Sequence, residues 1–359
     1  MMKSAVRNIR EVARLAKVAP STVSLVFNGS DRVAEETRAH VLRVLHETGY
    51  HPVRAGRKAT RNTDARPSRT SRIALVRFTP RRSAMHSPVY MDVIRGVEEA
   101  VSDADMSLVL RHLPLNPVGR GSLFQQRVDG IILFGAISDP DLIEQIGPLP
   151  CVEIMGHEKG SVPWDHLTYA NHPIGRIAAE YLRGRGHTRT AAISFNPDGR
   201  IFKERVDVFR TTWKEVGGSD CAMLNDPLLL REAMDTERID PDRLRQGLDH
   251  LLSSGRRPTA LFLVADMLAA PVQNELMRRN LVPGRDIEIV SCNNERLLLD
   301  PLHPRPATVD IHAEKIGRRA VAHLLWRMEH PLEPRQNLVI EPELVCGDEY
   351  HPPAATRAK

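Results

Sequence analysis

Apolar positions in the first fifty residues recur at helical spacing, with two interruptions. Ile9, Val12, Ala13, Leu15 and Ala16 form one stripe. Asn8 precedes it as a candidate N-cap whose side-chain oxygen can accept from a free backbone N–H. The pattern breaks at Lys17-Val18-Ala19. Pro20 suits a first helical position, where its missing N–H would have no intrahelical partner. The next helix, predicted over Ser21–Phe27, turns Val23, Val26 and Phe27 to one side and leaves Ser21, Thr22, Ser24, Leu25 and Asn28 more exposed. Asn28-Gly29-Ser30 reads as a turn. A third helix is predicted from Glu35 to Thr48 on the stripe Val41, Leu42 and Leu45, with Glu35 and Glu36 at its positive end and Gly49 as its stop. Three short helices with a tight turn between the first two predict a helix-turn-helix head over residues 7–50.

From residue 72 the grammar changes. Strand-like apolar runs at Ile73–Phe78, Leu108–Leu110, Ile131–Phe134, Cys151–Met155, Ala191–Phe195, Leu261–Val264 and Ile287–Cys292 alternate with helical patterns at Val89–Val101, Ile174–Arg185, Lys203–Val216, Arg243–Ser254, Leu268–Arg279 and Glu314–Met328. Repeated strand–helix units imply parallel sheets covered on both faces. The predicted fold class is an all-α head plus an α/β body of two Rossmann-like lobes over 72–350, followed by a tail at 351–359. Ligands of such bodies bind at the carboxyl ends of the strands. Residues 51–71 are almost devoid of apolar side chains and read as a hinge.

Charge sharpens this division. The chain carries a net +5, but residues 1–72 hold 15 Lys+Arg against 6 Asp+Glu, and the remainder holds 35 against 39. A basic head on a mildly acidic body suits a polyanionic partner. No apolar run is long enough to span a membrane, and no continuous apolar stretch near the N-terminus suggests export. Cys151, Cys221, Cys292 and Cys346 form no CxxC pair and read as reduced structural thiols. His157, His166 and His172 lack metal-ligand spacing, and Gly184-Arg185-Gly186 is only a fragment of a phosphate loop. No cofactor is expected.

The run NIREVARLAKVAPSTVSLVFN, followed by RVAEETRAHVLRVLHETGYHP, resembles the DNA-binding head of the lactose/galactose repressor (LacI/GalR) family, in register from Asn8 to Pro52. IALV at 73–76, RGVEEA at 95–100, VDGIIL at 128–133, GHTRTAAIS at 186–194, ERVDVF at 204–209, RPTALFLVAD at 257–266, IEIVSCNNE at 287–295 and PATVDI at 306–311 extend the resemblance along the body. It implies a periplasmic-binding-protein-like body and a homodimeric, cytoplasmic (bacterial nucleoid-associated) repressor. A small sugar in the cleft would release that repressor from a palindromic operator on double-stranded DNA. The alternative is a co-repressor mode with a purine-like ligand.

The departures carry physical meaning. Lys17 stands where relatives commonly have Gly, adding a cation but giving up turn freedom. Ala19 and Ala34 replace serines that cap helices. Leu25 replaces a base-reading arginine and can offer only apolar contact, for instance to a thymine methyl. In the hinge, Val53 and Ala59 replace Asn and the leucine wedge, and Gly56 weakens helix formation; weaker DNA kinking is expected.

Pro20, Ser21, Thr22, Ser24 and Leu25 are the candidate reading surface. Arg10, Arg14, Lys17, Arg32, Arg54, Arg57 and Lys58 are the candidate phosphate-binding cations, and Asn8, Ile9, Asn28, Thr37 and Tyr50 complete the DNA-contacting set. For the cleft, the family's effector arginine aligns with Arg205, whose rival role is a surface salt bridge. Asp266 is read either as a hydroxyl acceptor or as a helix cap. Asn293 and Asn294 replace an aspartate pair, while Ser87 and Tyr90 are wall candidates. Trp164 is a further wall candidate, and Met155 replaces a common aspartate. This set suits a neutral polyol such as a mono- or oligosaccharide. A sugar kinase would need a nucleotide signature that is absent, and an exported sugar-binding protein would not explain the head. Glu314–Met328 is a candidate for the dimer interface.

Overall fold

The computed structural model describes residues 9–27, 33–48, 70–79, 88–114, 127–137, 140–146, 149–156, 162–195, 199–227, 229–233, 236–253 and 257–348. Of the candidates above, Asn8, Asn28, Arg32, Tyr50, Arg54, Arg57, Lys58 and Ser87 lie outside these residues, as do Val53, Gly56 and Ala59 of the hinge. The chain divides into two compact units, Met1–Ser68 and Arg69–Lys359.

In the first unit, α1 (Ile9–Leu15), α2 (Pro20–Phe27) and α3 (Glu35–Thr48) enclose a core of Val12, Ala13, Ala16, Val23, Val26, Val41 and Val44. Two predicted core positions are corrected: Leu15 is 48% exposed and Leu42 is 50% exposed. Each falls on the flank of its helix, because the buried faces centre on Val12–Ala13–Ala16 and on Val41–Val44. The turn after α1 has a specific geometry. Lys17 is in the left-handed region at φ 51°, its N–H donates to Arg14 O at 3.3 Å, and the Val18 N–H donates to Ala13 O at 3.0 Å. This is a Schellman cap with lysine in the seat that glycine favours. Ala19 O accepts from the Thr22 N–H at 2.9 Å and Ala34 O from the Arg38 N–H at 2.9 Å, so both alanines stand at helix N-caps with no hydroxyl to contribute.

The second unit opens with β1 (Arg72–Thr79), α4 (Pro88–Asp103), β2 (Ser107–Pro114), β3 (Gly130–Phe134), α5 (Pro140–Ile146), β4 (Cys151–Ile154) and β5 (Asp165–Tyr169). The chain then crosses to a second lobe, made of α6 (His172–Gly184), β6 (Arg189–Ser194), α7 (Arg200–Glu215), β7 (Asp220–Asn225), the hairpin β8 (Leu230–Ala233) and β9 (Thr236–Ile239), α8 (Pro241–Ser253), β10 (Ala260–Leu263), α9 (Ala269–Arg278), β11 (Glu288–Asn293), α10 (Arg296–Leu299) and β12 (Ala307–Asp310). It returns to the first lobe through α11 (Ala313–Glu329) and β13 (Asn337–Ile340) and ends in the second as β14 (Glu343–Val345).

The first-lobe sheet runs β13-β5-β4-β3-β1-β2, all parallel; the second runs β14-β12-β11-β10-β6-β7, parallel except for β14. Strand order reverses at β1/β3 and at β6/β10, the points where such sheets open a ligand crevice. Three segments join the lobes: 169–172, 310–313 and 340–343. Two glycines set close helix crossings. A Cβ on Gly96 of α4 would lie 2.0 Å from Glu314 O of α11, and one on Gly175 of α6 would lie 2.3 Å from Arg205 O of α7.

Every predicted strand and helix of the body is present, with ends shifted by a few residues. Several further elements have polar or broken sequences that hid them. Asp165 sits inside β5 because its carboxylate accepts from Arg327 Nε at 2.8 Å, His323 Nε2 at 2.8 Å and the Gln336 N–H at 2.8 Å. β7 is a half-exposed edge strand. Ile316, Gly317, Ala320, Val321 and Leu324 of α11 are buried. That apolar stripe therefore belongs to the body's own core, while Lys315, Arg318, Arg319 and Ala322 of the same helix are exposed.

Candidate functional site

In the head, Pro20 and Lys17 are exposed and Thr22 and Thr37 are half-buried. Arg14 is exposed in the last turn of α1. Ile9, Arg10, Ser21, Ser24 and Leu25 have helical backbone, and their side chains lie outside the described set. α2 itself carries no charge, so the described cations of this unit flank it rather than lie on it.

The cleft is organised around Arg205. It is 1% exposed and has no carboxylate partner among the described residues, which removes the surface salt-bridge reading. Gly175 lets α6 and α7 touch backbone to backbone, and α7 thereby delivers Arg205 to the junction of the lobes. Its Nε donates to Asn171 Oδ1 at 2.8 Å and its Nη2 to Tyr169 Oη at 3.0 Å, both on the first crossover. Nη1 donates to Val264 O at 2.7 Å and Asn293 Oδ1 at 3.1 Å, both at strand ends of the second lobe. A guanidinium has five N–H groups. Four of them go to these partners, and the buried Cys292 thiol also lies against the guanidinium.

Asp266 does accept hydroxyl hydrogen bonds, but from the protein's own side chains. It is 1% exposed, and its Oδ1 accepts from Ser291 Oγ at 2.5 Å and Thr308 Oγ1 at 2.9 Å. Its Oδ2 accepts from the Glu295 N–H at 2.7 Å, and it makes no cap bond to the short helix it begins. It is a strut for the loop after β11. That loop carries two successive asparagines in the left-handed half of backbone space, Asn293 at φ 110° and Asn294 at φ 59°. Such residues cost on the order of 1 kcal/mol each and persist where the surroundings hold them. The two asparagines part company: Asn293 meets Arg205, whereas Asn294 donates to Asp310 Oδ2 at 3.0 Å and accepts from Arg305 Nη2 at 3.0 Å. Asn294 is thus corrected to a loop anchor.

On the first lobe, Tyr90 is fully buried in α4, edge-on to Phe134 at 4.9 Å and His112 at 5.5 Å, with the Arg77 guanidinium 4.4 Å above its ring. Trp164 belongs to a different cluster, with Val76 and Leu133, and donates to buried Glu153 at 3.3 Å; it does not join the Tyr90 wall. Met155 is buried at the end of β4 with φ 57°.

Buried side-chain polar atoms normally find partners. Among the described residues five do not: Tyr90 Oη, His112 Nε2, Thr168 Oγ1, Ser194 Oγ and Glu295 Oε2. All five stand in the last residues of a strand, just beyond one, or in the first turn of the helix that follows one. The sequence reading anticipated Tyr90 alone of this set, and it missed Tyr169, Asn171, Glu295 and the Arg77–Phe134 pair. Tyr169 and Asn171 flank the end of a strand that polar residues concealed, so only the strand-to-proline-helix junction could have signalled them. Burial also shifts the acids here: Glu295 is pushed up to about 8 by burial and by the Asp266 charge, and Asp266 to about 6 by burial against its three donors.

Residues 8–53 match the model for bacterial regulatory proteins of the lacI family, and residues 179–348 match the periplasmic binding protein-like domain. The ribose operon repressor of Escherichia coli K12 is 28% identical over 94% of this chain and 98% of its own. The chain thus joins a lacI-family DNA-binding domain to a periplasmic-binding-protein-like domain. Further lacI-family relatives of similar span are the ribose operon repressor of Haemophilus influenzae, 26% identical over 96% of this chain and 98% of its own, and the transcriptional repressor PurR of Vibrio vulnificus, 26% identical over 95% and 97%. The lac repressor dimer bound to operator and an anti-inducer shares the fold at a TM-score of 0.69, with 18% identity over 96% of this chain and 99% of its own. The lacI-family architecture accounts for both units: a DNA-binding head, and a regulatory body whose cleft is built to hold a small molecule. No helix among the described residues is long and apolar enough to cross a membrane.

Proposed function

We propose that the protein is a homodimeric repressor that a mono- or oligosaccharide releases from a palindromic operator. The observation that carries this reading is the placement of Arg205, whose one guanidinium bonds the first crossover and two strand ends of the second lobe. A ligand engaging that group competes for, or completes, the bonds that tie the crossover to the lobe. Binding is then coupled to lobe geometry. Asn293, the five unpartnered polar atoms and the Tyr90–Phe134 wall suit a ring with apolar faces and hydroxyl edges.

The names of the relatives agree in kind, since they include ribose operon repressors and a cellobiose complex of the regulator CelR. Met91, Leu110 and Leu297, exposed at 44%, 41% and 69%, are candidates for the dimer surface. Paired heads would offset the uncharged α2 by raising effective concentration. The protein acts by binding rather than catalysis, in the cytoplasm where the operator lies. The test is operator binding by fluorescence anisotropy with and without sugars: release supports the reading. A ligand that tightens binding would favour the co-repressor mode, for which buried Tyr90 and half-buried Phe134 offer a wall to a flat ring.

A further inference from the structure

The carboxyl group of Glu295 is buried beside Asn293 with one oxygen unfilled. We propose that Glu295 makes the cleft select an effector bearing a protonated amino group, an amino sugar in preference to the neutral sugar of the same skeleton. This rests on the effector reading of the cleft.

Glu295 is 5% exposed, and its Oε2 has no partner. Its other oxygen, Oε1, accepts from Asn293 Nδ2 at 3.2 Å. Asn293 stands between Glu295 and Arg205, giving its oxygen to the guanidinium and its N–H to the carboxyl. An aspartate at 293 could make the first bond but not the second. The available cation is therefore committed elsewhere, and no ion pair reaches Glu295 among the described residues. The groups that act on it electrostatically are mostly acids: Asp266 of its own lobe and Asp92 of α4 on the facing lobe, against Arg205 alone; the Cys292 thiol lies beside it and is held protonated by burial. A buried carboxyl with acid neighbours and an unfilled oxygen calls for a cation or a donor. A ligand ammonium supplies both.

In the empty cleft, burial and the Asp266 charge push the Glu295 carboxyl up to about 8, so at pH 7 it is mostly protonated. When the ammonium docks, the Glu295 O–H gives its proton to the buffer, and an ammonium N–H donates to Oε2. No covalent bond of the ligand changes. One proton leaves the complex for each ligand bound.

The full-length protein is titrated calorimetrically at pH 7 with D-glucosamine, D-galactosamine and D-mannosamine and with D-glucose, D-galactose and D-mannose, in two buffers of different protonation enthalpy. The expected result is that an amino sugar binds at least about tenfold tighter than its neutral parent, with close to one proton released. Glu295→Gln, which keeps the shape and an oxygen to accept from Asn293, abolishes the proton release and the preference. Proton release in the unaltered protein tests the proposal even if that variant folds poorly. A neutral parent that binds as tightly or more tightly overturns the proposal while sparing the sugar-effector reading, as does a preference that survives in Glu295→Gln. Failure of all six sugars to bind overturns both.

Discussion

Arg205 Nε donates to Asn171 Oδ1 at 2.8 Å, so a helix of the second lobe is bonded to the segment that crosses from the first. Asn171 in turn donates through Nδ2 to Glu204 Oε2 at 2.7 Å and to Ile201 O at 3.0 Å, which fixes the amide's orientation. The crossover and α7 are therefore tied together, and a ligand that engages the Arg205 guanidinium acts on both.

Replacing Arg205 tests this coupling. Arg205→Ala removes the side-chain donor from the Val264 carbonyl and from Asn171 Oδ1 in a buried site, with an expected loss of about 3–5 kcal/mol in urea unfolding. Arg205→Lys keeps the charge but cannot reproduce the planar fork. It is expected to unfold closer to wild type and still fail to respond to effector in an operator-release assay.

The head carries three local defects that can be repaired. Lys17→Gly relieves a left-handed lysine, while Ala19→Ser and Ala34→Ser restore N-cap hydroxyls. Each is expected to stabilise the head by about 0.5–1 kcal/mol, read as slower hydrogen exchange of head amides in the full chain. Lys17→Gly also removes a cation. The slope of log affinity against log salt should then fall by about 1, a change the two serine variants should not produce.

Much of this was legible in the sequence, and the misses have physical causes. Helical periodicity placed α2 and α3 to within a residue, because their apolar faces pack on each other. Leu15 and Leu42 were misassigned because hydrophobicity alone does not say which flank of a wide stripe is covered. β5 was hidden because Asp165 and His166 look like loop residues until Arg327 and His323 arrive from α11, far along the chain. Arg205 was identified through family resemblance, but its partners Tyr169, Asn171 and Val264 come from three other segments. Asp266 and Asn294 look like ligand groups in the sequence, and only the structure reveals that their polar atoms are already taken.

Leu25 offers a prediction that stems from the sequence. Leu25→Arg places a guanidinium on the helix that carries no charge, and it should both tighten operator binding and change the preferred bases. Selection of bound sequences from a random pool checks this: an unchanged consensus would argue against Leu25 facing the bases.

Stability should fall as pH rises through neutrality. Glu295 and Asp266 hold their protons more tightly folded than unfolded, with folded values of about 8 and about 6 against ordinary values of 4.5 and 3.8. Their contribution is thus fully present below the ordinary carboxylate range and is lost as pH climbs through the folded values. His112 and His166, held low by burial, act in the opposite direction but only below their ordinary value of 6.5. Between about pH 7 and 8 the urea midpoint is therefore expected to decline in the wild type and to stay level in Glu295→Gln.

The central claim is that a sugar in the cleft, read by Arg205, controls the grip of the head on DNA. The most direct measurement is the anisotropy of a labelled operator bound by full-length protein, titrated with mono- and oligosaccharides, for wild type and Arg205→Lys. The account predicts that at least one sugar weakens operator binding by about tenfold or more in the wild type and leaves the variant unmoved. Equal release from both proteins, or no sugar that weakens the wild-type complex, would contradict it.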